Sequence, residues 1–168
     1  IPEFVRLPPD AIRSIREGFL DDESFVRSAQ QHMRVEEAAE AEAKFRRALE
    51  INPKSLDALN GLAGSVIAQG RVDEAIGYLN QALAIDPKHS DSLAFMGHAM
   101  AAVGRLEEAA TWYLRSLDQP YPETQTVIGL VRVLHQLHRT QEAIAPLRRV
   151  IQSMPLDASL HGTLAQVL

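Results

Sequence analysis

The sequence predicts an all-α fold in which helix-turn-helix pairs stack side by side. The segment GRVDEAIGYLNQALAIDP begins at Gly70, and the similar segment GRLEEAATWYLRSLDQPYP begins 34 residues later, at Gly104. A repeat of this period is typical of stacked helical units. The composition agrees, because aromatic residues make up only 5% of the chain while alanine and leucine are plentiful. Such a mixture favours helices packed through small side chains over a β-sandwich.

Four segments of the chain agree when they are aligned at a spacing of 34 residues. A slot for a small side chain, a slot for a large apolar side chain and a closing slot recur in this register. The three slots read Ala41, Ala75, Ala109 and Ala143; Phe45, Leu79, Tyr113 and Leu147; and Pro53, Pro87, Tyr121 and Pro155. Since no single pair of helices can bury its own apolar face, stacked pairs are expected to share one core.

Residues 56–89 show why each unit should form two helices. Four apolar residues of the first half recur at i, i+3, i+4 and i+7, which places them on one face of an α-helix. Gly70 should end that helix, because glycine adopts the left-handed conformation of a C-cap without strain. Pro87 should end the second helix. The four apolar residues are Leu59, Leu62, Ala63 and Val66.

The slots resemble those of the tetratricopeptide repeat, a 34-residue helical pair with small residues inside each helix and proline at its end. The resemblance begins at about residue 22 and implies a right-handed α-solenoid. It divides the chain into units 22–55, 56–89, 90–123 and 124–157, followed by the first helix of a truncated fifth unit at 158–168. Before them, we expect a tag-like or irregular N-terminus at 1–8 and a capping or degenerate helix at 9–21.

Two units depart from the family pattern. The first lacks the turn glycine, and its sequence RVEEAAEAEAKF indicates either an altered turn or an extended second helix. The fourth has His138 where the others have glycine. Histidine can occupy the left-handed region, although at a cost, so a similar turn is still expected there.

The family resemblance implies that first helices line a concave groove that holds a partner peptide. We expect the groove to accept a protein or peptide with apolar anchors and one or more acidic groups, because arginine is a good bidentate donor to carboxylates. The alternative for Arg132 is an ordinary solvent-exposed side chain. The groove positions implied are Asp57, Asn60, Gly64, Ile67, Asp91, Ala94, His98, Ala101, Gln125, Ile128, Arg132 and His135.

Other classes of function find little support. The net charge of -5 argues against a nucleic-acid partner, and no apolar run approaches the length of roughly 20 residues that direct membrane insertion requires. No cysteine is available for disulfides or thiolate sites, which leaves both a cytoplasmic and a periplasmic location open. His135 and His138 should point in different directions, so we expect no metal and no cofactor. No catalytic motif is present, and we expect no enzymatic activity.

Three functions remain open. The first is a non-catalytic interaction scaffold or adaptor. The second is a docking region of a larger, bacterial enzyme such as a glycosyltransferase or sulfotransferase, since enzymes of these classes often contain similar arrays. The third is a self-assembling scaffold, because an uncapped C-terminal helix would leave apolar side chains with too little cover. Those side chains are Leu160, Leu164, Val167 and Leu168.

Overall fold

The computed structural model describes residues 37–120 and 123–168. Within these ranges it contains eight α-helices, one 3-10 helix and no β-strand. The helices are α1 Ala38–Ile51, α2 Leu56–Ala68, α3 Val72–Ile85, α4 Ser90–Ala102, α5 Leu106–Leu117, α6 Thr124–Gln136, the 3-10 helix Thr140–Ala143, α7 Ile144–Ser153 and α8 Ala158–Val167. The segments 1–8 and 9–21, and the first helix of unit 22–55, lie outside the described residues.

The helices stack as a regular solenoid, which confirms the predicted all-α class. We call α2, α4, α6 and α8 the first helices, and α1, α3, α5 and α7 the second helices, the 3-10 helix being the start of the last of these. Each helix packs against the next one along the chain, and each first helix also contacts the following first helix. No described helix combines the length and apolar character needed to cross a bilayer.

The predicted slots form the core. The small slot, from Ala41 to Ala143, is fully buried in all four units, and the large slot, which includes Phe45 and Tyr113, is at most 1% exposed. Apolar residues of the first helices close the core from the other side, among them Leu62 and Leu130. Burial of this shared layer is the main force that holds adjacent units together.

The turns between the helices of a unit share one geometry. Gly70 and Gly104 have φ values of 78° and 77°, and His138 has a φ of 57°. In each case the amide of the next residue donates to the carbonyl five positions back, as from Arg71 to Val66 at 2.8 Å. This is the bond of a Schellman cap. His138 therefore adopts the left-handed conformation that the sequence predicts.

The last complete unit differs in its second helix, which opens with a 3-10 turn. Pro146 lies at the third position of α7 and has no amide hydrogen to donate to the carbonyl of Glu142, four residues back. An α-helical first turn would leave that carbonyl without this bond, which accounts for the tighter turn. In the first unit, α1 begins 34 residues before α3, and the residues for which an altered turn or an extended helix was expected lie partly outside the described ranges.

The expectation that all four apolar side chains of α8 lack cover is wrong for two of them. Leu160 is fully buried and Val167 is only 6% exposed. The reason is that α8 packs against α6, α7 and the 3-10 helix. Leu164 is half-buried, and Leu168 remains 73% exposed.

Candidate partner-binding groove

Two cavities open between the first helices, and we call the surface that holds them the groove. The large cavity has a volume of about 500 Å³ and the small cavity about 350 Å³. The large cavity is lined by Gly64, Ile67, Ala68, Phe95, His98, Ala101, Ala102, Tyr113, Gly129, Arg132, Val133 and Gln136. The small cavity is lined by Ile128, Val131, Arg132, His135, Thr140, Thr163, Gln166 and Val167.

Seven of the twelve groove positions implied by the sequence line these cavities, and the other five do not. Those in the cavities are Gly64, Ile67, His98, Ala101, Ile128, Arg132 and His135. The remaining five lie nearer the N-terminal ends of the first helices and are Asp57, Asn60, Asp91, Ala94 and Gln125. The cavities therefore lie toward the C-terminal halves of the first helices.

Asn60 is placed inside the protein, with only 3% of its surface exposed. Its Oδ1 accepts a hydrogen bond from the Ser92 hydroxyl at 2.8 Å, and its Nδ2 lies 3.3 Å from Nδ1 of His89. The amide thus joins α2 to the start of α4. This role removes its side chain from the groove surface.

Tyr113 contributes to the groove although it belongs to the core and comes from α5, a second helix. Its ring passes between glycines of the first helices: a Cβ atom on Gly97 would lie 2.6 Å from the ring, and one on Gly129 would lie 2.9 Å away. Because these positions lack side chains, the hydroxyl end of Tyr113 reaches the large cavity. Glycine at positions 97 and 129 was the available sequence signal, and our prediction missed it.

The imidazole of His98 is held by that hydroxyl. Oη of Tyr113 lies 2.7 Å from Nδ1 of His98. Burial raises the pKa of Tyr113 to about 12, although nearby Arg132 opposes this, so the hydroxyl is protonated near neutral pH. Burial, and then the charge of Arg132, lower the pKa of His98. The tyrosine therefore donates to Nδ1, and the neutral ring has its own proton on Nε2.

Arg132 lines both cavities and is exposed. No carboxylate of a described residue lies within ion-pair distance of its guanidinium. Its neighbours in the groove are instead His98 and Tyr113, whose pKa values respond to its charge. A guanidinium in this position can donate two parallel hydrogen bonds to a carboxylate.

Many charged side chains of the second helices form ion pairs. Ion pairs between described residues all involve second helices or the residues that cap them, and several bridge consecutive units, as from Arg71 to Glu42 at 2.7 Å and from Arg139 to Glu107 at 2.7 Å. By contrast, Asp57, Asp91 and Arg132 of the first helices form no ion pair with another described residue. The ion pairs that link consecutive units are thus absent from the described first helices.

One group of described residues near the starts of α2 and α4 has the composition of a metal site. Potential ligand atoms of Asp57, His89 and Asp91 lie within 4.8 Å of one another. However, Nδ1 of His89 accepts the backbone amide of Ser92 at 3.3 Å as the N-cap of α4. That tautomer has its proton on Nε2, which then offers no lone pair to a metal ion. Burial, and then Asp91, raise the pKa of neighbouring Glu123. His89 is thus explained as a cap, and Asp57 and Asp91 as first-turn carboxylates that the helix dipoles favour.

Comparison with known families defines the class of protein. Two models of the tetratricopeptide repeat match the sequence, one over residues 26–90 and one over residues 66–125. Together they span more than half of the 168 residues. The chain belongs to the tetratricopeptide repeat family. No curated protein matches the sequence.

Several solved structures share the fold. TTC0263, a thermophilic TPR protein of Thermus thermophilus, superposes with a TM-score of 0.79 at 17% identity, covering 92% of this chain and 85% of that one. Pseudomonas aeruginosa PilF gives a TM-score of 0.73 at 23% identity, covering 88% and 67%. YrrB, described as a TPR protein with an unusual peptide-binding site, gives 0.58 at 18% identity, covering 94% and 80%. At these identities the likeness shows the fold alone.

Proposed function

We propose that the chain is a non-catalytic interaction scaffold whose groove binds a protein or peptide segment with apolar side chains and at least one acidic group. The observation that carries the proposal is Arg132, which lines two cavities and has no carboxylate partner among the described residues. A cation that is unpaired inside a groove is complementary to an acidic ligand.

The cavities suit apolar side chains. Their volumes fall in the range of about 300–1,000 Å³ that is usual for ligand sites. Ile67, Phe95 and Val133 supply apolar walls in the large cavity. Burial of a ligand's apolar side chain there contributes roughly 25 cal/mol of binding free energy per Å² of apolar surface. The guanidinium would fix the orientation of the bound segment. The peptide-binding site named for YrrB supports a peptide as the class of ligand.

The test compares the same charge reversal at two exposed arginines, one inside the groove and one outside it. Arg132→Glu reverses the charge in the groove, and Arg148→Glu makes the same change on α7, where Arg148 is exposed and lines neither groove cavity. Proteins captured from a lysate of the source organism would be identified and purified. Their dissociation constants would then be measured by calorimetry for the original chain and both variants, after circular dichroism shows equal helicity.

We expect Arg132→Glu to weaken binding by about tenfold or more and Arg148→Glu to change it less than about twofold, since charge reversal at a buried contact is far more disruptive than at a rim. Equal effects of both variants would exclude the groove as the site. A partner that binds the Arg132→Glu variant as tightly as the original chain would also contradict the proposed groove. The proposal would equally fail if the chain captured no protein.

A further inference from the structure

Arg132 is the residue shared by the two cavities. A carboxylate bound to its guanidinium must therefore lie between them, with the large cavity on one side and the small cavity on the other. We propose that the groove recognises a helical segment in which one acidic side chain lies between two apolar side chains. This inference rests on the proposed function and specifies the order of the groups in the partner.

Apolar side chains line the cavities on both sides of Arg132, which supports an apolar residue at each end of the proposed partner segment. Beyond the walls of the large cavity described above, the small cavity has Ile128, Val131 and Val167. Its polar residues partly satisfy each other, because Nδ1 of His135 lies 3.3 Å from Oγ1 of Thr140. Each cavity can thus hold an apolar side chain.

The central position is acidic because donors converge there. His98 donates from Nε2 when its Nδ1 accepts from Tyr113, and no described residue lies at hydrogen-bond distance of that Nε2. Together with Arg132, this gives the site two donors and a positive charge. A basic side chain at the same position would be repelled by the guanidinium.

The spacing of the cavities favours a helix. The large cavity involves α2, α4 and α6 and is centred on α4, whereas the small one lies between α6 and α8, so their centres are about one and a half interhelical distances apart, roughly 12–15 Å. Eight residues of α-helix rise by about 12 Å, and residues i, i+4 and i+8 share one face. Two apolar residues eight apart, with an acidic residue at i+4, therefore fit the groove.

The test uses fluorescent synthetic peptides of about ten residues with blocked ends, so that terminal charges do not contribute. In the ordered peptide, glutamate stands at i+4 between leucines at i and i+8 in an alanine background. The permuted peptide has the same composition with glutamate outside both leucines, and a third peptide has glutamine for glutamate. Anisotropy titrations measure the affinity of the 168-residue chain for each.

Three variants assign the contacts. Arg132→Gln removes the charge, Ala102→Phe obstructs the large cavity, and Gln166→Phe obstructs the small one. Ala102 and Gln166 are both exposed, so the added rings leave the core unchanged. Thermal unfolding identifies any variant that fails to fold. In that case Arg132→Ser replaces Arg132→Gln, or tryptophan replaces phenylalanine at position 102 or 166.

We expect the ordered peptide to bind about tenfold more tightly than the permuted and glutamine peptides, and each variant to remove that preference. Equal binding of ordered and permuted peptides would overturn the inference, as would a preference that survives obstruction of either cavity. The proposed function fails separately. If binding of a purified partner requires Arg132 but the order of groups in the peptide has no effect, only the inference about the helical segment is overturned. If Arg132→Glu leaves partner binding unchanged, both the inference and the proposed function are overturned.

Discussion

The hydroxyl of Tyr113 lies 2.7 Å from Nδ1 of His98, and this contact joins the apolar core to the groove. Tyr113 is 1% exposed, and its ring extends from a second helix between Gly97 and Gly129 of the first helices, where its polar end orients a histidine. Core packing therefore determines which nitrogen of His98 accepts from Tyr113 and which one carries the proton. Substitutions in the groove and substitutions in the core should therefore each alter the titration of His98.

Arg132→Gln should raise the pKa of His98. The charge of Arg132 disfavours the imidazolium, and its removal leaves burial as the cause that lowers the pKa below 6.5. Proton chemical shifts of the His98 ring, followed against pH, measure the change. Arg148→Gln provides the control and should leave the titration where it is; an unchanged curve for Arg132→Gln would show that the two groups do not interact.

Gly97→Ala should lower the free energy of unfolding by about 1–3 kcal/mol, because an added Cβ would lie 2.6 Å from the buried ring of Tyr113. Gly77→Ala is the matched change in α3, where a Cβ meets no atom within 4 Å. That substitution should stabilise by about 0.5–1 kcal/mol through helix propensity. Denaturant unfolding measures both, and a stable Gly97→Ala would mean that the ring can move aside.

His138→Gly should raise the free energy of unfolding by about 1 kcal/mol. A histidine at φ 57° is strained by its Cβ, and glycine is free of that strain. The reciprocal change, Gly104→His at φ 77°, should destabilise by a similar amount. Calorimetric melting temperatures of the two variants should move in opposite directions. Shifts of the same sign would contradict the role assigned to the turn.

Glu42→Gln should destabilise the protein by about 1–3 kcal/mol at neutral pH, since it removes charged hydrogen bonds that join the first two units. Burial alone would raise the pKa of Glu42, but hydrogen bonds from Gln69, Arg46 and Arg71 outweigh burial and lower the pKa to about 2. The carboxylate thus contributes fully above pH 4.5, and its contribution is lost as the pH falls toward 2.

Chemical unfolding at several pH values should show the difference between the original chain and Glu42→Gln shrinking below pH 4.5. Glu108→Gln is the control, because its ion pair with Arg105 is exposed, with 54% of the Arg105 side chain and 51% of the Glu108 side chain accessible. An exposed pair contributes less than about 1 kcal/mol. A Glu42→Gln effect that persists undiminished at about pH 2 would show that packing, and not charge, is responsible.

The fold could be predicted from the sequence because its determinants recur. Each slot, such as the one occupied by Ala75, appears once per unit, and four partial signals reinforce one another. Helix periodicity then places the slots on faces, and turn residues with positive φ end the first helices. The 3-10 start of the last second helix was missed because its cause, Pro146, belongs to one unit only.

The groove was harder to predict because its properties depend on contacts between different slots. The family resemblance implied Arg132 and His98 as groove positions, and both line the large cavity, but the resemblance could not show that Arg132 has no carboxylate partner among the described residues. It also treated Asn60 as a groove residue, since the spacing does not show that Ser92 and His89 meet its amide. Long-range pairing of polar side chains has no local sequence signal.

The buried hydrogen bond between Asn60 and Ser92 restricts how the array can grow by duplication. Tandem copying of residues 56–89 would preserve every apolar slot, and His89 would still precede the inserted helix. However, Ala58 of the second copy would stand where Ser92 stands now, so the carbonyl oxygen of one buried amide would lose its donor. Such an orphaned group costs about 1–3 kcal/mol. Evolution by whole-unit duplication at this junction would therefore require a compensating substitution at position 58 or 60.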